Sequence, residues 1–221
     1  MITLYELAGK NDLRFSPPCW NVKLCLLYKN IEFETVAIGF SEKNKILFSN
    51  QQLVPVLKHQ DGHISDSWNI INWLDENYEN PKLFVNEASK NFSHFLYLWT
   101  SRQILPILFK IIAHEIPNIL EGDDLNHYII TREERIKGPI TKFVPVISDS
   151  IKKFRSLINP MRSLIKKNGF ISGSNPGIED FIFFGNFKWV YTCSSCNLLD
   201  KEDEVFQWYK KINQIFNIET H

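Results

Sequence analysis

Three short stretches of this chain carry residue types that could handle a thiol or a carboxylate. The first is Ser16-Pro17-Pro18-Cys19, between a strand-like run and a helical one that has no breaker. Pro17 holds Ser16 extended, which suits a helix N-cap. A free cysteine thiol has a pKa of about 8.5 and is mostly protonated at neutral pH. A hydroxyl donating to sulfur beside the positive end of a helix favours the thiolate, and each pKa unit of lowering is worth about 1.4 kcal/mol. The second stretch is Val54-Pro55, inside the strand-like Leu53–Lys58 (LVPVLK). Proline cannot donate to a ladder, so an edge strand or a bulge is the ordinary reading. The third is Asp66-Ser67 at a helix start. Ser67 is read first as an N-cap. The same free N–H groups and hydroxyl could also hold a carboxylate, with Asp66 pairing to an ammonium beside it.

The cysteines allow a rival chemistry. Ser16-x-x-Cys19 puts a thiol in the second position of a redox pair, so thiol–disulfide exchange through Cys19 is a minor alternative. Cys19 and Trp20, in the first turn of the helix, are secondary site candidates. Cys193-x-x-Cys196 has the spacing of half a zinc site, but zinc takes about four ligands and no second pair exists. It reads as a helix-end or loop feature, and no metal is expected.

Alternating patterns surround the three stretches. Ile2–Leu7 (ITLYEL) is short and β-branched, Trp20–Tyr28 is helical, and Phe33–Ile38 alternates. A weaker helix is expected over Glu42–Phe48, and Asp61-Gly62 marks a hairpin. Ser67 opens a helix through Asn77, completing β-α-β-α-β-β-α. Residues 79–87, with Pro81, read as a linker. Beyond it the pattern is helical. Phe92, Phe95, Leu96 and Trp99 form one stripe, and Ile151, Phe154, Leu157, Ile158 and Met161 form another, kinked at Pro160. Thr131-Arg132-Glu133-Glu134 reads as a capping box starting a helix. Gly177–Tyr191 and Glu202–Ile215 read as the last two helices. Trp73, Trp99, Trp189, Phe183 and Phe187 are assigned to the core, whereas Tyr97, Trp99 or Arg102 are candidates for a substrate cleft.

Composition narrows the function classes. Lys+Arg and Asp+Glu are 25 each, so the formal charge is zero. A nucleic-acid binder would carry a basic surplus. Apolar residues make up 44% of the 221, enough for a real core. No signal peptide is read at MITLYELAGKND, and the apolar window Ile104–Ala113 is too short to span a bilayer. A cytoplasmic protein with free thiols and no membrane or nucleic-acid partner is expected.

Taken together, the three stretches are ordered and spaced as in glutathione transferases, which the chain resembles over its whole length. The N-terminal pattern is FSPPCWNVKLCLLYKNIEFETV, then LVPVL, then SDSWNIINWLDENY. The C-terminal half carries LINPMRSLIKKNGFISGSNPGIEDFIFFGNFKW and LLDKEDEVFQWYKK, most similar to bacterial β-etherase-like transferases and their fungal relatives. The resemblance implies a thioredoxin-like α/β domain over 1–78, with a mixed four-stranded sheet, and an all-helical domain over 88–221 that forms the electrophile pocket. It implies that Pro55 is cis and that Val54 offers its backbone to the cysteinyl group of bound glutathione. Ser16 is implied as thiol activator, and Asp66 and Ser67 as binders of the γ-glutamyl end. Asp180 matches an aspartate that buttresses a core helix, with Gly177 where a serine is usual. Leu53 stands where many members carry Lys or Gln. The implied activity is detoxifying transfer of glutathione, as co-substrate, to a hydrophobic aromatic electrophile (aryl ether or phenolic) by a homodimer. A non-catalytic glutathione-binding or interaction protein of the same fold is the alternative.

Overall fold

The computed structural model describes residues 1–219; Thr220 and His221, the end of the expected helical region, lie outside them. Four strands form one mixed sheet in the order β2-β1-β3-β4: β1 (Ile2–Leu7), β2 (Phe33–Ile38), β3 (Val56–His59) and β4 (Gly62–Ser65). β1 runs parallel to β2 and antiparallel to β3, and β3 and β4 form the hairpin read at Asp61-Gly62. Helices α1 (Pro17–Tyr28) and α2 (Ser67–Asn77) belong to the same unit. Beyond Ser65 no described residue is in a strand. The helical part comprises α3 (Glu87–Trp99), α4 (Leu105–Ile112), α5 (Gly122–Ile136), α6 (Ile147–Leu157), α7 (Asn159–Asn168), α8 (Ile178–Cys193) and α9 (Glu204–Ile215).

Several local expectations are corrected. The segment expected to be a helix over Glu42–Phe48 is a 3₁₀ run, Lys43–Ser49, ended by Asn50 in the left-handed region (φ 53°). β3 is shorter than LVPVLK, because the ladder begins only after Pro55, which has no N–H to give. Thr131 is not an N-cap. It lies inside α5, where its hydroxyl donates to the His127 carbonyl at 2.6 Å. The real start, at Gly122, carries Asp123 and Asp124 in the first turn, where acidic groups meet the helix dipole favourably. The stripe through Met161 is two helices rather than one kinked rod. Pro160 sits in the first turn of α7, where its missing N–H costs nothing.

The apolar window at Ile104–Ala113 is the end of a longer helical run, Glu87–Ile112, which by length and composition alone could cross a membrane. In this fold Leu108, Ile111 and Ile112 are fully buried. A π-turn at Thr100–Ile104 joins α3 to α4 just ahead of Pro106. A proline within a continuous helix removes one backbone donor and crowds the preceding turn, and a widened turn absorbs both.

Period-two alternation in β1 puts Glu6 on the same face as Ile2 and Leu4, so a carboxylate enters the core. Its Oε1 pairs with Arg14 at 2.9 Å and Lys23 at 2.5 Å, which offsets part of the desolvation. α1 is buried nearly all round because it is sandwiched between the sheet and α8. The crossing is close at Gly185, where a Cβ would sit 2.5 Å from the Pro17 carbonyl oxygen and 2.7 Å from Asn21 Oδ1. Gly185→Ala must push α8 away from α1, at a cost of roughly 1–3 kcal/mol. Urea denaturation should show a lower midpoint, and an unchanged midpoint would contradict this packing.

Candidate functional site

Ser16 is the N-cap of α1, in extended geometry (φ −72°, ψ 120°), and its side chain makes no capping bond to the helix backbone; it lies within hydrogen-bond reach of the Cys19 thiol instead. Its hydroxyl is therefore not consumed by capping. Ser16 lines two adjoining cavities. One, of about 200 Å³, reaches across to Val54, Leu53 and Gln52 of the loop before β3. The other, of about 170 Å³, is walled by Phe109, Tyr128 and Trp189 of the helical part. Leu7, Phe40 and Arg132 border both.

The Val54-Pro55 bond is cis, as expected. Val54 packs on the small cluster of Ile38, Ile46 and Val56, which fixes the loop at the cavity wall. Leu53 is 74% exposed and offers no polar group. The structure thus brings Ser16 and Val54 to one cavity.

Asp66 and Ser67 stand at the start of α2, outside the lining of that cavity. Asp66, not Ser67, is the N-cap: its Oδ1 accepts from the Asn69 N–H at 3.0 Å, with the backbone at φ 73°. Ser67 is the first helical residue, buried, and its hydroxyl lies 2.9 Å from the Tyr97 hydroxyl of α3. Burial raises the Tyr97 pKa, opposed by the bond to Ser67. Tyr97 also lines a small cavity of about 80 Å³ with Pro17, Pro18, Thr100 and Ser101. That cavity runs from the first turn of α1 to the π-turn.

Cys19 is 1% exposed. Burial first, then the Glu6 carboxylate, push its thiol up to about 12, with the Ser16 side chain, the Leu7 backbone and Lys23 pulling the other way. Such a thiol carries almost no thiolate at neutral pH. Trp20 is buried against Phe184, and its indole N–H is spent on the Arg14 carbonyl at 2.9 Å. All four cysteines are free thiols; Cys193 ends α8 and Cys196 lies in the loop after it. Among the described residues no group of three or more His, Cys, Asp or Glu side chains is placed to hold a metal ion.

The residues that local sequence did not single out come mostly from the helical part. Phe109, Tyr128 and Arg132 reach the Ser16 cavities, and so does Trp189, which had been assigned to the core. Arg102, a cleft candidate by sequence, is exposed and lines neither Ser16 cavity. The loop after β2 is tied to α5 across the cavity mouth. Asp124 Oδ1 accepts from the Ser41 N–H at 2.7 Å and the Ser41 hydroxyl at 2.5 Å. Gly39 permits this contact, since a Cβ there would lie 2.1 Å from Asp124 Oδ2.

The glutathione S-transferase N-terminal domain model matches residues 12–82, and the glutathione S-transferase C-terminal domain model matches residues 91–210. The chain belongs to the glutathione S-transferase family. Among curated relatives, glutathione S-transferase omega-1 of Mus musculus is 26% identical over 50% of this chain and 49% of its own. The glutathione S-transferase-like protein ustS of Aspergillus flavus is 24% identical over 59% of this chain and 51% of its own. This family member thus spans about half the length of the curated relatives it matches. A solved glutathione S-transferase of Ceriporiopsis subvermispora in complex with glutathione has a TM-score of 0.84 at 18% identity, covering 98% of this chain and 96% of that one. Glutathione transferase GSTFuA3 of Phanerochaete chrysosporium gives 0.79 at 17%, with the same coverage. At such identities these likenesses speak for the fold: a four-stranded mixed sheet with helices, followed by a helical domain.

Proposed function

We propose that this chain is a glutathione transferase that uses Ser16 to stabilise the glutathione thiolate for attack on an aromatic electrophile, an aryl ether or phenolic compound. The carrying observation is the shared cavity of Ser16 and Val54, which continues into a pocket walled by Phe109, Tyr128 and Trp189. In this reading the Val54 backbone holds the cysteinyl group as an added strand would. The N–H groups at the start of α2 other than that of Asn69, which Asp66 caps, and the Ser67 hydroxyl hold the γ-glutamyl carboxylate, and the second Asp66 oxygen holds its ammonium. Residues 1–78 are the glutathione-binding domain, and the helical domain that starts at residue 88 supplies the electrophile pocket. The protein acts in the cytosol as a homodimer. Thiol chemistry through Cys19 is disfavoured by its burial.

The test is glutathione titration by calorimetry together with conjugation of 1-chloro-2,4-dinitrobenzene. Saturable binding and turnover are expected, with Asp66→Ala raising the glutathione Kd by about tenfold or more, the loss of a charge-assisted bond. Absence of both binding and turnover sinks the reading. One observation favours a second reading, a binding module without turnover: Leu53 offers an exposed alkyl chain beside the proposed peptide strip. Glutathione binding with no turnover across a panel of electrophiles would select it.

A further inference from the structure

The cavities beside Ser16 hold positive charge and no carboxylate in their walls. Arg132, in the C-terminal third of α5, lines both. Its guanidinium lies over the rings of Tyr128 at 5.3 Å and Phe40 at 5.4 Å, and donates to the Thr131 hydroxyl oxygen at 3.0 Å. Among the described residues neither Arg132 nor Arg135 nor Lys43 forms an ion pair, although all three line these cavities. Asp124, on the same helix, has one carboxylate oxygen committed to Ser41.

A half-buried guanidinium with no counter-ion is a costly arrangement for stability alone. The surrounding groups report the same excess of charge. Burial, then Arg135, pull the Arg132 pKa down. Burial, then Lys43 and Arg132, lower that of His127, with Asp124 opposing. The rings around Arg132 add shape to the charge: Phe40, Tyr128, Phe109 and Trp189 can take a flat aromatic body.

We propose that the electrophile is an aryl carboxylate, its carboxylate held by the Arg132 guanidinium and its ring lying among Phe40, Tyr128, Phe109 and Trp189. This rests on the transferase reading above and names its substrate class. Guanidinium and carboxylate are planar and match in two parallel hydrogen bonds, so the contact orients the ring as well as attracting it. With a chloroarene, the glutathione sulfur forms a bond to ring carbon, chloride leaves with the bonding pair, and the thiol proton goes to solvent.

The test uses two charge-differing pairs on the full chain at saturating glutathione. Binding is read by calorimetry with unreactive 3-nitrobenzoate and 3-nitrobenzamide. Turnover is read with 4-chloro-3-nitrobenzoate and 4-chloro-3-nitrobenzamide, each divided by its uncatalysed rate with glutathione. The wild type should prefer the benzoate in both, and Arg132→Gln should cut the preference ratio by about 10- to 100-fold. Arg132→Lys, which keeps the charge but not the fork, should lose only part of it, a result that misfolding would not give. Equal affinity of the wild type for benzoate and benzamide overturns the proposal. So does an Arg132→Gln variant whose glutathione Kd rises by the same factor as its benzoate Kd, because Arg132 would then serve a carboxylate of glutathione. A benzoate preference in calorimetry without turnover of either chloroarene keeps the anion site and removes the transferase reading. Turnover without a benzoate preference does the reverse.

Discussion

Ser16→Ala should lower the rate of thiolate attack at neutral pH by about 10- to 150-fold, the equivalent of roughly 1.5–3 kcal/mol for a hydrogen bond to a charged acceptor. The Ser16 hydroxyl makes no cap bond to α1 and lines both cavities, so it is available to a sulfur placed there. The glutathione Kd should move far less than the rate, because Val54, Asp66 and Ser67 hold other parts of the peptide in this reading. The sign of the pH dependence follows from what the hydroxyl does. It stabilises the anion, so it depresses the thiol pKa of the complex. Removing it returns that pKa towards the ordinary thiol range of about 8.5, and the defect shrinks as pH rises past that value. Cys19→Ala should track the wild-type profile, since its thiol is buried and pushed up to about 12. The measurement is a pH–rate profile of wild type and both variants with one aromatic chloroarene. A wild-type profile for Ser16→Ala, with activity lost in Cys19→Ala, would end the serine mechanism.

The largest stability effect is expected at Asp180. This carboxylate is fully buried and accepts four bonds: from the backbone N–H groups of Ile171 (2.9 Å), Ser172 (3.0 Å) and Gly177 (3.1 Å), and from the Trp208 indole N–H (2.7 Å). It thereby closes the loop before α8 onto the first turn of that helix and pins α9 through Trp208. The side-chain cap that Gly177 cannot supply is not needed for this: Ser172 occupies the space, its Cβ 2.9 Å from where a Cβ on Gly177 would be. Asp180→Ala leaves four donors without that acceptor, three of them backbone groups, at roughly 3–5 kcal/mol. For a chain of this size that is a fall in Tm of about 6–20 °C. Asp180→Asn keeps the volume but turns an NH2 towards N–H donors, so it should recover only part of the loss. Thermal and urea unfolding read both variants. An Asp180→Ala protein within about 1 kcal/mol of wild type would show that the four bonds are replaced by water or by relaxation of the loop.

Local signals were enough to read the order of elements and three of the proposed site positions. Alternation marked β1 and β2, the Asp61-Gly62 pair marked the hairpin, and Ser16 before two prolines marked the start of α1. These features depend on neighbours in sequence, so their chemistry can be read without the fold. Errors arose where two local signals compete. Thr131-Arg132-Glu133-Glu134 has the residues of a capping box, yet α5 had already begun at Gly122, and inside a helix the Thr131 hydroxyl turns back to the His127 carbonyl. At α2, Asp66 took the cap because its carboxylate reaches the N–H of Asn69, leaving Ser67 for Tyr97.

By itself, then, the sequence determined the thioredoxin-like pattern, the helical remainder and the places where α1 and α2 begin. Tertiary structure alone decided what faces Ser16. Arg132 is 116 residues from Ser16 along the chain, and Phe109, Tyr128 and Trp189 lie on three different helices. No periodicity within one helix distinguishes a residue that packs in a bundle from one that borders a cavity, because both lie on its inward stripe. Only the docking of the helical part against the sheet, through α1 on α8 and Ser41 on Asp124, turns those inward residues into the walls of a pocket.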